Sequence, residues 1–175
     1  MSFNGLSQFV SFLESRDELV RVKCPVNPVL EITEIADRMV KSGGRALLFE
    51  NTGTAFPLLI NSLDSDTRMA AAMGRSSLND AGEEIFSLVE SLSQSRGLSV
   101  KLSRLPGMMR LLTLSPRRKR GRGECQEVIE KTPDLGMLPI LKCWPHDGGR
   151  FITLPLVHTR HPETGRPNLG MYRMQ

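Results

Sequence analysis

Asn168 and Arg173 close a strand-like run, Asn168-Leu-Gly-Met-Tyr-Arg173, near the end of the chain. A neutral oxygen donor and a permanent cation at that spacing suit a metal-bridged phosphate or a carboxylate. The run follows a second apolar stretch, Phe151-Ile-Thr-Leu-Pro-Leu-Val-His158, across the polar segment His161-Pro-Glu-Thr-Gly165. The sequence stops at Gln175, before further ligands are supplied, so these residues are expected to be the first part of an active site. Three histidines invite a metal reading. They are separated by eleven residues (His146 to His158) and by two (His158 to His161), which matches no standard zinc spacing. His146-Asp-Gly-Gly149 is better explained as a tight turn with glycines at positive φ. Thr153 is a further candidate for the same pocket, set against the ordinary role of a β-branched strand residue.

The remaining sequence supplies the elements that must position them. Leu6, Phe9, Val10 and Leu13 have helical spacing, and Leu19-Val-Arg-Val-Lys23 alternates as a strand. Asn27 is placed to cap a helix with Pro28 in its first turn; Ile32, Ile35, Ala36, Met39 and Val40 form its apolar face. Ser42-Gly-Gly44 ends it. Ala46–Phe49 and Pro57–Asn61 are predicted strands, Asp66–Met73 a short helix stopped by Gly74. Another helix begins near Asn79 or Asp80, with Ile85, Leu88, Val89 and Leu92 on one face. Alternating strands and helices define an α/β domain over residues 1–98. Residues 99–123, with Pro106, Gly107, Pro116 and the basic run Arg117-Arg-Lys-Arg-Gly-Arg122, are expected to connect domains. From 124 to 175 the pattern is strands between Pro/Gly turns: Cys125–Glu130, Leu138–Cys143, Phe151–His158 and Asn168–Met174. That is the opening of a β-barrel or sandwich.

Composition narrows the function classes. The 175 residues carry a net charge of +4, and much of that excess sits in the basic run. With 5% aromatic residues and none interleaved in that run, base stacking is not expected, and no nucleic-acid partner is assigned. Contact with an anionic membrane surface is the alternative use of the run. Cys24, Cys125 and Cys143 are odd in number and show no CxxC pairing, which points to reduced thiols in a cytoplasmic setting.

Trp144-Pro-His-Asp-Gly-Gly-Arg-Phe-Ile-Thr153, Pro162-Glu-Thr-Gly165 and Asn168–Arg173 together resemble the UbiD-type decarboxylases, the 3-octaprenyl-4-hydroxybenzoate carboxy-lyases and their relatives. Leu19-Val-Arg-Val22, Leu30-Glu-Ile-Thr-Glu-Ile-Ala-Asp-Arg38 and Gly43-Gly-Arg-Ala-Leu-Leu-Phe-Glu50 resemble that family's opening domain. The resemblance implies an α/β domain followed by a flavin-reductase-like split β-barrel, here incomplete. It implies prenylated FMN with Mn2+, and K+ in some members, and loss of CO2 from an aromatic carboxylic acid. The implied substrate is 4-hydroxy-3-polyprenylbenzoate in ubiquinone or menaquinone biosynthesis. Asn168 matches a metal ligand. Met171, Tyr172 and Arg173 match the flavin-holding segment, with Arg173 also in the catalytic network. The family's other metal ligands and both network glutamates are absent, so this chain alone is expected to be inactive. A flavin prenyltransferase would supply the cofactor, and the full-length enzyme would be a homo-oligomer. Two alternatives are a flavin-binding, reductase-like module and a non-catalytic interaction module.

Overall fold

The computed structural model describes residues 3–93 and 121–175, which fall into two compact units. The larger joins Asn4–Asp64 to Asp134–Gln175; the smaller is built mainly from Ser65–Pro133.

In the larger unit, helix α1 (Leu6–Ser15) leads into strand β1 (Leu19–Val22), which pairs in parallel with β2 (Ala46–Phe49). A parallel pair needs a crossover, and helix α2 (Glu31–Lys41) provides it. Strand β3 (Leu58–Ile60) adds antiparallel to the other edge of β2, giving the order β1-β2-β3. Ala-Leu-Leu-Phe has no polar alternation because β2 is the central strand and is buried at every position. Leu47 and Phe49 pack in one cluster with Val26, Ile32 and Leu141. Leu141 belongs to the late part of the chain, so the α2 side of this sheet is completed by residues far away in sequence.

Helix α2 begins later than its sequence suggests. The Asn27 side chain does not cap it; its Oδ1 accepts from the Val29 N–H at 2.8 Å in a local turn, and Pro28 lies outside the helix. Leu30 stands at the cap position with φ of +69°, a conformation L-residues avoid. The cause is tertiary. Val29 forms a parallel bridge with Lys142. The Leu30 N–H donates to the Lys142 carbonyl at 2.9 Å, and the Lys142 N–H to the Pro28 carbonyl at 3.2 Å. The Thr33 hydroxyl lies 2.9 Å from the Leu30 carbonyl and 3.1 Å from that of Cys143. These bonds hold the residues that would have been the first turn. The other end of α2 follows expectation: Gly43 has φ +66°, and Gly44 N–H donates to Met39 O while Gly43 N–H donates to Val40 O.

The late part of this unit is a ribbon and a hairpin. Leu141 bridges Phe151, and Ile152 bridges Met174, both antiparallel. Strands β4 (Leu156–Arg160) and β5 (Pro167–Met171) pair antiparallel, with Leu156 opposite Met171 and Thr159 opposite Asn168. The connecting turn is the expected one: Gly165 has φ +66°, the His161 N–H donates to the Arg166 carbonyl, and His161 Nδ1 accepts from Glu163 and Thr164 N–H at 3.3 Å. The turn before Phe151 forms differently from expectation. Its span is Trp144–Asp147, closed by Asp147 N–H to Trp144 O and by Trp144 N–H to Asp147 Oδ2 at 2.9 Å. Neither Gly148 nor Gly149 has positive φ. Pro145 and the Asp147 carboxylate shape the reversal, so glycine's conformational freedom is not called on. Instead, a Cβ on Gly148 would lie 2.8 Å from Gln175 Nε2; the missing side chain admits Gln175.

The smaller unit contains α3 (Asp66–Ala72) against α4 (Leu78–Ser93). Ser65 caps α3, its Oγ accepting from Arg68 N–H at 3.1 Å, and Gly74 at φ +71° ends it. Ile85 and Val89, expected on a packed face, are exposed. Cys125–Glu130, expected as a strand, begins in a 3-10 turn (Glu124–Gln126) and continues as irregular, exposed chain. Among the described residues it finds no partner strand, and a lone strand has no ladder to satisfy its backbone. Residues 99–120 of the connection expected at 99–123, which include Arg117–Arg120 of the basic run, and the Leu92 side chain lie outside the described residues.

Candidate functional site: the exposed hairpin and its cation

The candidate residues all stand on the last strand and its continuation. Asn168 sits inside β5 opposite Thr159, exposed and without an intramolecular side-chain partner among the described residues. Successive strand residues face opposite sides, so Leu169 and Met171 share the face of Leu156, while Asn168 and Gly170 share the other. Tyr172 folds its ring back over Gly170: a Cβ there would meet the ring at 2.4 Å. Gly170 is thus the space that Tyr172 occupies.

Beyond β5 the strand leaves β4, and Met174 pairs with Ile152 through two backbone bonds of 2.9 and 3.2 Å. That shift carries Arg173 to the ring of Phe151, with the guanidinium carbon 4.4 Å from the ring centroid. Among the described residues Arg173 enters no ion pair. Its charge is felt at Cys143, where burial first and Asp147 second push the thiol pKa up while Arg173 opposes them. Asn168 and Arg173, adjacent in purpose on the sequence, are joined by no hydrogen bond or shared partner. Thr153 lines an apolar groove between β3 and the ribbon, with Leu58, Ile140 and the Phe151 that carries Arg173. His158 is paired with Leu169, and His161 belongs to the turn. Sequence reasoning quoted Phe151 without giving it a role. The only signal was its place directly after Gly148-Gly-Arg150.

An exposed strand end that bears a thioether, a phenol ring and a guanidinium seated on an aromatic ring can receive a planar ring system together with an anionic group. The class so defined is an α/β domain docked to an antiparallel ribbon whose last strand carries a cation seated on an aromatic ring. Two family models match the chain. Residues 10–88 match the 3-octaprenyl-4-hydroxybenzoate carboxy-lyase N-terminal domain, and residues 117–175 match that enzyme's Rift-related domain. The chain belongs to the UbiD family of carboxy-lyases. An uncharacterised protein of Archaeoglobus fulgidus is 43% identical over 176 residues, covering 100% of this chain and 36% of that protein. The UbiD-class enzyme HmfF from Pelotomaculum thermopropionicum, solved in complex with FMN, is 26% identical with a TM-score of 0.69, covering 97% of this chain and 34% of that one. An evolved dimeric form of HmfF, solved with prFMN, is 25% identical with a TM-score of 0.65, over 99% and 36% of the two chains. The chain therefore spans about a third of the length of these relatives.

The residues present bear differently on the two groups the family implies. No group of three His, Cys, Asp or Glu side chains among the described residues could hold a metal ion. Asn168 offers a single neutral oxygen, which fills one position of an ion's shell and does not make a cage. The flavin is better served. Met171 and Tyr172 are exposed, Tyr172 is seated by Gly170, and Arg173 lies over the Phe151 ring with no carboxylate partner among the described residues.

Proposed function

We propose that this chain forms the opening portion of a prenylated-FMN-dependent decarboxylase, with 4-hydroxy-3-polyprenylbenzoate as substrate in ubiquinone or menaquinone biosynthesis. One observation carries the reading: in a member of the carboxy-lyase family, the hairpin presents Met171, Tyr172 and Arg173 in sequence on an exposed strand end, with the cation seated on Phe151. On this reading β4, β5 and the ribbon are the first strands of a flavin-reductase-like split β-barrel, and residues 99–123 connect it to the α/β domain.

Loss of CO2 leaves an electron pair on carbon, and the prenylated flavin, when bound, is the group that takes up those electrons. The chain's own residues have the remaining tasks. Met171 and Tyr172 supply apolar contact to the ring system. Arg173 carries a permanent charge and a planar fork, so it fixes a carboxylate or phosphate by two parallel hydrogen bonds. That contact orients the acid or the cofactor for the reaction. Asn168 is assigned one ligand position of a divalent cation, Mn2+, with K+ as an accompanying ion. A flavin prenyltransferase supplies the cofactor. The full-length protein is expected to be a cytoplasmic homo-oligomer that touches the membrane surface where its polyprenyl substrate resides. No helix among the described residues is long and apolar enough to cross a membrane.

The test is made in the full-length protein reconstituted with prenylated FMN. Arg173→Ala is expected to lower CO2 release by about 100- to 1,000-fold, the scale of a lost transition-state contact. Asn168→Ala is expected to lower metal retention as well as turnover. Unchanged turnover in both variants overturns the reading. Reduction of unmodified FMN by NADH, without decarboxylation, would identify a reductase-like module instead.

A further inference from the structure

We propose that Gly170 is a positioning residue: the space it leaves lays the Tyr172 ring back along β5, so that the phenol hydroxyl and Asn168 together face the phosphate of a bound flavin nucleotide. The inference rests on the flavin-site reading above. It adds a hydroxyl contact to the apolar role given to Tyr172 there, and a residue that acts only through its neighbour.

Glycine inside a strand needs a reason, because it carries a larger entropic cost than other residues and packs nothing. Gly170 lies in the paired part of β5, directly opposite Val157. It is not among the glycines at positive φ, so its backbone conformation is open to any residue. What claims the place of its side chain is Tyr172. A Cβ at position 170 would fall 2.8 Å from the ring carbon that bears the hydroxyl and 2.9 Å from the hydroxyl oxygen. Separations under 3.0 Å force one group to move, so alanine here would expel the ring. The contact is local, made between two residues of one strand.

Place follows from the strand's geometry. Residues two apart on a strand share a face and stand about 6.8 Å from one another. Asn168 is therefore the next side chain on the face where the phenol lies. Thr159 stands opposite Asn168 across the pair and adds its own hydroxyl to that face. A spacing of about 6.8 Å leaves room for one tetrahedral anion between the carboxamide and the phenol. The groups suit that anion. An amide NH2 and two hydroxyls are neutral donors, and donors of this kind bind an ionised acceptor more strongly than a neutral one. A phenol laid down in advance loses less freedom when the anion arrives.

The experiment uses the full-length protein without prenylated cofactor. It reads by flavin fluorescence the affinity for FMN and for riboflavin, which lacks the phosphate. Wild type should favour FMN; equal affinities overturn the inference. Tyr172→Phe keeps the ring and removes only the hydroxyl. It should weaken FMN binding by at least about 10-fold, the scale of a hydrogen bond to a charged group, and leave riboflavin affinity as it was. Gly170→Ala should lose a similar part of the preference for FMN. The same substitution made in the Tyr172→Ala background should cost nothing further. An unchanged ratio of FMN to riboflavin affinity in Tyr172→Phe overturns the inference and leaves the flavin site standing. A Gly170→Ala loss that is equally large in the Tyr172→Ala background does the same, since the glycine would then act on the strand and not on the ring. If Gly170→Ala does not fold, recovery of folding by Tyr172→Ala supports the contact, and failure to recover overturns it. If Asn168→Ala and Arg173→Ala both leave FMN affinity and CO2 release unchanged, the site reading fails and takes this inference with it.

Discussion

Phe49 and Leu156 are both apolar strand residues of the larger unit, yet Phe49 is fully buried and Leu156 is 73% exposed. The contrast holds for their whole neighbourhoods. Around β2 the apolar pattern is consumed: both faces of the strand are covered, and Leu13, Ile32 and Leu47 are sealed with it. On the β4–β5 hairpin the apolar pattern is on display: Leu156, Leu169 and Met171 share one face and stand mostly in solvent. Equal hydrophobicity thus serves two ends. In the α/β domain it stabilises the fold, and on the hairpin it remains as surface for something else to cover.

The strongest way to break this comparison is a matched pair of truncations. Phe49→Ala should cost about 3–5 kcal/mol in denaturant unfolding, since it empties a filled core position. Leu156→Ala should stay within about 0.5 kcal/mol, as exposed substitutions do. Similar losses for both would show that the hairpin is as tightly packed as the sheet. A smaller effect is expected at the end of α2. A Cβ on Gly44 would fall 2.0 Å from Met39 Sδ and 2.9 Å from the Met39 carbonyl oxygen. Gly44→Ala should therefore destabilise by about 1–3 kcal/mol, the range of overpacking, measurable by thermal melting.

Thiol chemistry sharpens the contrast from the opposite direction, because here the protected group is in the ribbon. Cys24 is exposed, whereas Cys143 is half-buried with a pKa raised by burial and then by Asp147. Alkylation at pH 8 followed by mass spectrometry should label Cys24 first and Cys143 last, since only the thiolate reacts. Equal rates would mean that the ribbon does not stay docked on α2. The smallest effect concerns Arg21, which donates to Glu14 and Glu50. The hydrogen bond from Arg21 holds the Glu14 carboxyl below its ordinary value of 4.5. A carboxyl with a lowered folded pKa contributes stability above its unfolded value, and this is lost as pH falls through the folded one. The melting-temperature difference between wild type and Arg21→Leu should be slight at neutral pH and vanish in acid. These side chains are exposed, so a large difference would count against the assignment.

Much of the α/β domain was legible because its signals are local. Four consecutive apolar residues mark β2 as central, and Gly43 supplies the left-handed residue that ends α2. The start of α2 was misplaced because Lys142, far along the chain, claims the backbone that Asn27 and Pro28 would have led into a helix. The strand expected at Cys125–Glu130 failed for the complementary reason: its composition suits a strand, but no neighbour pairs with it among the described residues. Asn168 and Arg173 stand out by type and spacing, whereas Met171 and Tyr172 are named only through the family resemblance; all four are exposed on the last strand and its continuation. Phe151 could not, because its meeting with Arg173 depends on a register set by two backbone bonds between Ile152 and Met174.

The Thr33 hydroxyl reaches the Cys143 carbonyl across a sequence separation of 110. Closing so long a loop carries an entropic toll that short-range contacts escape, and it must be met before the bond returns anything. The sheet of β1, β2 and β3 can assemble from one continuous stretch, whereas the ribbon joins only after the polypeptide has come full circle. Order of assembly therefore runs from scaffold to chemistry: the surface that Arg173 serves is completed last.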